Sequence, residues 1–138
     1  MSDPLQIKRL LRRPQFLAAA KGVSEARGAV VIQRLDRGDG SLHIGLGFTA
    51  TKKIGGAVQR NRAKRRLREA ARAMLPRHGM PGSDYVFIAR MGTTERAWDR
   101  LLDDVKSTLT RLATPRHDRG ADRPPPARAP SGQDRQNP

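Results

Sequence analysis

The sequence predicts a single α+β domain in which helices pack against a small mixed β-sheet. Three patterns carry this prediction. Residues 42–51 alternate between apolar and small or polar side chains, residues 84–90 contain a continuous apolar run, and residues 56–75 and 94–112 show helical spacing of apolar positions. A chain of 138 residues is long enough for one such domain with a stable core.

The first part of the chain predicts a short helix followed by a strand. Residues 13–21 form the helix, with Phe16 on its packing face and Gly22 at its end. Residues 29–35 are a β-branched run between glycines, which is typical of a strand, and residues 36–40 supply the turn that follows it.

Residues 42–51 predict the next strand, with larger apolar side chains on one face and small or polar ones on the other. A helix at 56–75 follows, and we expect Pro76 and Gly79 to end it. Its apolar stripe advances by four, three and four residues and consists of Ala63, Leu67, Ala70 and Met74.

Residues 84–90 predict a strand buried on both faces, and residues 94–112 predict a final helix. One side of this helix is apolar and consists of Trp98, Leu101, Leu102, Val105, Leu109 and Leu112. A strand–helix–strand unit usually joins parallel strands, so we expect 42–51 and 84–90 to run parallel. The predicted order is helix, two or three strands, basic helix, strand, helix.

Composition divides the chain into a domain over residues 1–113 and a tail over 114–138. The tail is rich in Pro and Arg and has almost nothing to bury, so we expect it to be disordered. The formal net charge of +15 indicates a nucleic-acid partner. We expect no membrane span and no signal peptide, and the absence of cysteine is compatible with a cytoplasmic location.

The charge is concentrated in and just before the helix at 56–75. Between residues 52 and 72 a single acid, Glu69, stands among many cations. These cations are Lys52, Lys53, Arg60, Arg62, Lys64, Arg65, Arg66, Arg68 and Arg72. A helix that needed only solubility would intersperse more acids, so this pattern favours contact with a polyphosphate backbone.

Residues 47–69 read Gly-Phe-Thr-Ala-Thr-Lys-Lys-Ile-Gly-Gly-Ala-Val-Gln-Arg-Asn-Arg-Ala-Lys-Arg-Arg-Leu-Arg-Glu. This segment resembles the signature of the bacterial ribonuclease P protein family, and the likeness extends over about residues 10–112. The resemblance implies an αβββαβα two-layer sandwich of ribosomal-protein-like type over residues 1–113. It also implies a left-handed crossover through the basic helix, against the usual right-handed rule.

The resemblance further implies a function. The family's protein is the small subunit of a ribonucleoprotein endonuclease whose RNA subunit removes the 5′ leader of precursor tRNA, with Mg²⁺ bound mainly by that RNA. The expected partners are therefore the catalytic RNA and the precursor's leader, and neither DNA nor a membrane. The residues expected to contact the catalytic RNA are Lys52, Lys53, Arg60, Asn61, Arg62, Lys64, Arg65, Arg66 and Arg68. Those expected in the leader cleft are Phe16, Gln33, Gly47 and Thr49.

Three positions depart from the family's pattern. Ala20 and Gln33 stand where many relatives have aromatic residues of the cleft, and Gly45 stands where an arginine is common. Leader binding would then depend more on Gln33, on small residues and on charge. For Phe16, stacking on a leader base and simple packing of the short helix are both open.

We expect no catalytic residues in the protein itself. Histidines 43, 78 and 117 are scattered, and Asp103 and Asp104 diverge around a helix, so no group converges as metal-dependent cleavage needs. Two alternatives remain: a non-catalytic RNA-binding module of ribosomal-protein type, and a helix-based DNA reader. The RNA that co-purifies would decide the first, and equal affinity for duplex DNA and single-stranded leaders would favour the second.

Overall fold

A computed structural model describes residues 6–113, which form a five-stranded sheet and three α-helices. The predicted tail at 114–138 lies outside the described residues. The elements in chain order are β1 (Ile7–Arg9), α1 (Arg13–Ala20), β2 (Val23–Arg27), β3 (Val30–Asp36), β4 (Ile44–Thr49), a 3-10 turn (Lys52–Ile54), α2 (Ala57–His78), β5 (Ser83–Ala89) and α3 (Trp98–Ala113). The α+β class and the order α1, β2, β3, β4, α2, β5, α3 are confirmed.

The sheet has the order β1-β4-β5-β3-β2, which places β5 at its centre. Strands β4 and β5 run parallel, with Phe48 opposite Phe87, so the predicted pairing is confirmed. Helix α2 makes the crossover between them, and its left-handed sense stays a prediction. Strand β3 pairs antiparallel with both β5 and β2.

Strand β1 is an addition to the predicted order. It is only three residues long, its side chains are all exposed, and it pairs parallel with β4, with Ile7 opposite Ile44. So short a segment cannot show an apolar alternation, and only pairing with a distant strand defines it.

The core lies on both faces of the sheet. One face packs against α2 and α3, and its largest buried side chains are Ile32, Ile44, Tyr85, Phe87, Leu67, Leu75, Leu101 and Leu109. Helix α1 covers part of the other face through a smaller cluster of Leu10, Ala19 and Val86, with Phe16, Leu35 and Ile88 partly buried beside it. Strand β5 contributes to both clusters, as expected for a strand buried on both faces.

Two helix boundaries differ from the prediction. Helix α2 runs through Pro76 to His78, because a proline in the last turns removes only one main-chain donor while buried Leu75 keeps the turn packed. Helix α3 begins at Trp98 rather than at residue 94, after a turn. Trp98 is 42% exposed, so the apolar side of α3 is only partly covered at its first residue. A first-turn side chain lies at the rim of the core.

Candidate nucleic-acid interface

Helix α2 presents a basic face because its opposite side is fixed in the core. The buried side chains are Ala63, Leu67, Ala70, Ala71 and Leu75. Since successive residues turn by about 100° around a helix, this stripe fixes the rotation of the whole helix. The predicted RNA-binding residues that α2 leaves exposed are Asn61, Arg62, Arg65 and Arg68, and Lys52 and Lys53 are exposed on the preceding turn.

Acids of the protein hardly neutralise this face. Within the described chain, the single ion pair of the 52–72 segment joins Arg72 to Glu69 at 3.3 Å, and both side chains are largely exposed. An exposed pair of this kind is weak. The positive field of α2 is therefore directed at solvent and available to a polyanion.

Protein contacts hold three of the predicted RNA-binding arginines in place. Arg60 Nη1 donates to the carbonyl of Gly55 at 3.0 Å, which ties the 3-10 turn to α2. Arg66 Nη1 donates to the carbonyl of Thr93 at 2.7 Å. The guanidinium carbon of Arg68 lies 5.6 Å from the centroid of the Phe48 ring, a cation–π contact.

The residues of the predicted leader cleft share one face of the sheet. Gly47, Val86 and Gln33 are in register across β4, β5 and β3, so they point to the same side, where Phe16 of α1 lies close above Gly47. Thr49 lies one pleat further along β4 on that face. Phe16, Gln33 and Thr49 are all half-buried.

A cavity of about 350 Å³ connects this face to the basic helix. Its walls combine aromatic, apolar and cationic side chains: Ile7, Arg9, Leu10, Phe16, Leu46, Gly47, Phe48, Lys64, Arg68 and Arg72. Phe16 and Gly47 come from the predicted cleft, whereas Lys64 and Arg68 come from the predicted RNA-binding helix. Gln33 and Thr49 do not line it.

Sequence reasoning missed Arg9 and Phe48 as wall residues of this cavity. Arg9 belongs to β1, which gives no pattern in the sequence. Phe48 belongs to an alternating strand, where a large apolar side chain on the core face indicates only packing. Neither residue carries a signal that could have identified it without the pairing of β1 with β4.

Strand β4 has an open edge beside the cavity. Leu10 N–H donates to the Leu46 carbonyl at 2.9 Å, and Ile44 N–H donates to the Gln6 carbonyl at 2.9 Å. The main-chain N–H and C=O groups of even-numbered β4 residues therefore point towards β1. Main-chain direction alternates along a strand, so the N–H and C=O of Phe48 point to the same edge, beyond the end of β1. They lie next to the cavity.

Gly45 lacks a side chain because Asp84 occupies its space. A Cβ at position 45 would overlap the Asp84 carboxylate, which Arg37 holds by an ion pair of 2.7 Å. Arg37 also donates to the carbonyl of His43 at 2.6 Å. The pKa of Arg37 is raised: burial alone would lower it, but hydrogen bonds to Asp84 and Asp39 outweigh that effect. The Arg37 guanidinium is thus occupied by contacts within the protein. It does not take the place of the arginine that is common in the family at position 45.

Two negative findings concern residues 6–113 only. No three His, Asp or Glu side chains of this part of the chain cluster closely enough to hold a metal ion. None of its helices combines the length and the apolar character that crossing a membrane requires. His117 lies outside the described residues.

Comparisons with known proteins identify the family. The family model for Ribonuclease P matches residues 6–113. A ribonuclease P protein component from Caulobacter vibrioides is 62% identical over 109 residues, which cover 79% of this chain and 73% of the relative. One from Ruegeria pomeroyi is 48% identical over 109 residues, covering 78% of this chain and 87% of the relative.

Solved structures show the same fold. The RNase P protein of Staphylococcus aureus aligns with a TM-score of 0.64 at 25% identity, over 76% of this chain and 94% of that one. The RNase P protein from Thermotoga maritima aligns with a TM-score of 0.63 at 25% identity, over 78% of this chain and 99% of that one. This chain therefore belongs to the family of ribonuclease P protein components, the protein part of a tRNA-processing endoribonuclease.

Proposed function

We propose that this protein binds the catalytic RNA of ribonuclease P and the 5′ leader of precursor tRNA, and so promotes leader removal by that RNA in the cytoplasm. The observation that carries the proposal is the exposed basic face of α2, where Glu69 alone pairs with a cation of the 52–72 segment among the described residues. Family membership supports the choice of RNA partner.

The protein's contribution is electrostatic. Two RNAs repel each other through their phosphates, and cations placed between them relieve that repulsion by releasing counterions. Arginine suits this role because its planar fork donates two parallel hydrogen bonds to one phosphate. The amide of Asn61, exposed among these arginines, can read a base edge or a 2′-hydroxyl.

The leader would cross the face of the sheet beside α1. Phe16 offers a ring for an unpaired base, and Gln33 offers an amide in the same row as Gly47. The cavity connects Phe16 to Lys64 and Arg68, so a strand seated here has phosphate partners within reach. Single-stranded RNA needs this combination of aromatic rings and a cationic groove.

In this proposal the RNA subunit carries out cleavage, and Mg²⁺ held by that RNA would supply the activation of water and the stabilisation of charge. The described side chains offer no converging carboxylates or histidines for that role. The protein positions the precursor and lowers the ionic requirement of the RNA.

Reconstituted cleavage tests this proposal. Precursor tRNA is incubated with the catalytic RNA at limiting Mg²⁺, with and without the full-length protein, and we expect the protein to raise the rate and lower the Mg²⁺ needed. An unchanged rate would overturn the proposal, as would cleavage by the protein freed of all RNA.

A charge-matched pair of variants sharpens the experiment. Arg62→Gln removes one exposed cation of α2 and should raise the Mg²⁺ requirement. Arg27→Gln, at an exposed position in β2 on the far edge of the sheet, is the control and should leave it unchanged. Duplex DNA as a competitor should displace the RNA poorly.

A further inference from the structure

Trp98 is the one tryptophan of the chain, and 42% of its surface is exposed at the start of α3. The guanidinium carbon of Arg66 lies 5.7 Å from the centroid of its ring. An aromatic ring with a neighbouring guanidinium is the combination on which unpaired bases stack in RNA-binding proteins.

The turn between β5 and α3 fixes this pair. The carbonyl of Thr93 accepts the 2.7 Å hydrogen bond from Arg66, and the Thr93 hydroxyl donates to the carbonyl of Ala29 at 2.7 Å. Arg96 donates two hydrogen bonds, of 2.9 and 3.1 Å, to the buried carboxylate of Asp104. These bonds hold the turn to α2, to α3 and to the residue before β3, so the start of α3 and the Arg66 guanidinium are already placed when a ligand binds.

The pair lies at the border of the basic face of α2 that is remote from the cavity. At about 100° per residue, Lys64 and Arg68 each point about 160° away from Arg66, whereas Arg62 points only about 40° away and one turn earlier. An RNA that covers the exposed arginines of α2 would therefore reach Trp98 on its far side, away from the leader cleft.

The aromatic face of Trp98 favours a base over a phosphate as its partner. Charges of both signs surround the ring: Glu95, Asp99 and Arg100 are exposed nearby in the chain, and Arg66 lies beside the ring. This mixture attracts a phosphate less than the cations of α2 do, whereas a neutral base can stack on the ring.

We propose that Trp98 is a stacking platform for an unpaired base of the catalytic RNA. This contact rests on the proposed function and adds an aromatic anchor that is separate from the leader cleft. Arg66 acts as a positioning residue. Its guanidinium lies beside the Trp98 ring and donates a hydrogen bond to the Thr93 carbonyl, which fixes the turn that precedes α3.

The sole tryptophan gives a direct test. The fluorescence of the full-length protein is titrated with the catalytic RNA alone, and we expect quenching and protection from acrylamide as a base covers the ring. Adding precursor tRNA with leaders of increasing length should change the signal no further. A signal that responds only to the leader would overturn the assignment to the catalytic RNA.

Binding by variants supplies the second readout. Trp98→Leu keeps apolar bulk beside Arg66 but removes the stacking face, and affinity for the catalytic RNA should fall roughly 5- to 150-fold, the range for one base–aromatic stack. Trp98→Phe should recover most of that loss. Met91→Ala, at an exposed apolar position of the same turn, is the matched control and should bind as wild type does.

Salt dependence separates stacking from charge. Loss of a stack should leave the slope of log affinity against log salt unchanged, whereas Arg66→Gln should reduce it by about one at most. If Trp98→Leu binds like wild type and the fluorescence does not respond, the platform is refuted. The proposed function would still stand if the same protein stimulates cleavage at limiting Mg²⁺.

Discussion

Phe16 in α1 and Gly47 in β4 lie in direct contact: a Cβ at position 47 would come within 2.6 Å of Cε2 of the ring. Helix and strand approach this closely only because position 47 carries no side chain. The ring is therefore seated against the main chain of β4, at the mouth of the cavity that leads to Lys64 and Arg68.

Gly47→Ala should displace the Phe16 ring and weaken binding of precursor tRNA while leaving mature tRNA almost unaffected. Phe16→Ala should do the same, by roughly 5- to 150-fold if one base stack is lost. The double variant should be no worse than Phe16→Ala, because the two changes remove one interaction. Affinities of the holoenzyme for precursor and mature tRNA measure this, and equal losses for both tRNAs would remove the stacking role.

Arg65→Ala should weaken assembly with the catalytic RNA without unfolding the protein. Arg65 is exposed on α2, and alanine is at least as good a helix former, so thermal stability should change little. Binding measured over a range of salt concentrations should show a slope reduced by about one. Arg27→Ala is the control, and an equal effect there would mean that only net charge matters.

Asp84→Ala should destabilise the fold, because it leaves the half-buried Arg37 guanidinium without its closest carboxylate. Breaking a buried ion pair in this way costs about 3–5 kcal/mol. We expect the lower end or less, since Arg37 is only half-buried and keeps Asp39 and main-chain acceptors. Urea denaturation measures the loss in free energy of unfolding. Asp39→Ala is the control and should cost much less. Equal losses for the two variants would contradict the structural role of the Arg37–Asp84 ion pair.

Tyr85 should resist ionisation until the protein unfolds. Burial raises the pKa of its phenol above the ordinary value of 10.0, although the hydrogen bond from Met80 N–H opposes this. The unfolded chain loses the proton first, so stability is complete below pH 10 and falls as pH rises beyond it. Tyr85 is the sole tyrosine, so phenolate absorbance reports it alone. Ionisation at pH 10 with intact circular dichroism would contradict the prediction.

The sequence predicted those elements whose buried face is marked by a regular spacing of apolar residues. The stripe of α2 around Leu67, the alternation in β4 and the apolar run of β5 all follow from which face meets the core. Strand β1 was missed because its three exposed side chains leave no such trace. The exposure of Trp98 could not be predicted, because a helical repeat does not show where the covering sheet ends.

The cations of the interface could be read from composition, but their surroundings could not. The acceptor for Arg66 is the main-chain oxygen of Thr93, 27 residues away, and main-chain oxygens have no sequence signature. The cavity likewise depends on where β1 stops relative to β4 and on how α1 seats Phe16. These are relations between elements, and they exist only in the assembled fold.

The main chain of Phe48, beyond the end of β1 on the edge of β4, has a consequence for the isolated protein. Exposed strand edges recruit further strands, and a second copy of this chain could supply one. Arg9, Lys64, Arg68 and Arg72 line the cavity at that edge and would face the like charges of any such copy. These cations therefore also discourage self-association through this edge.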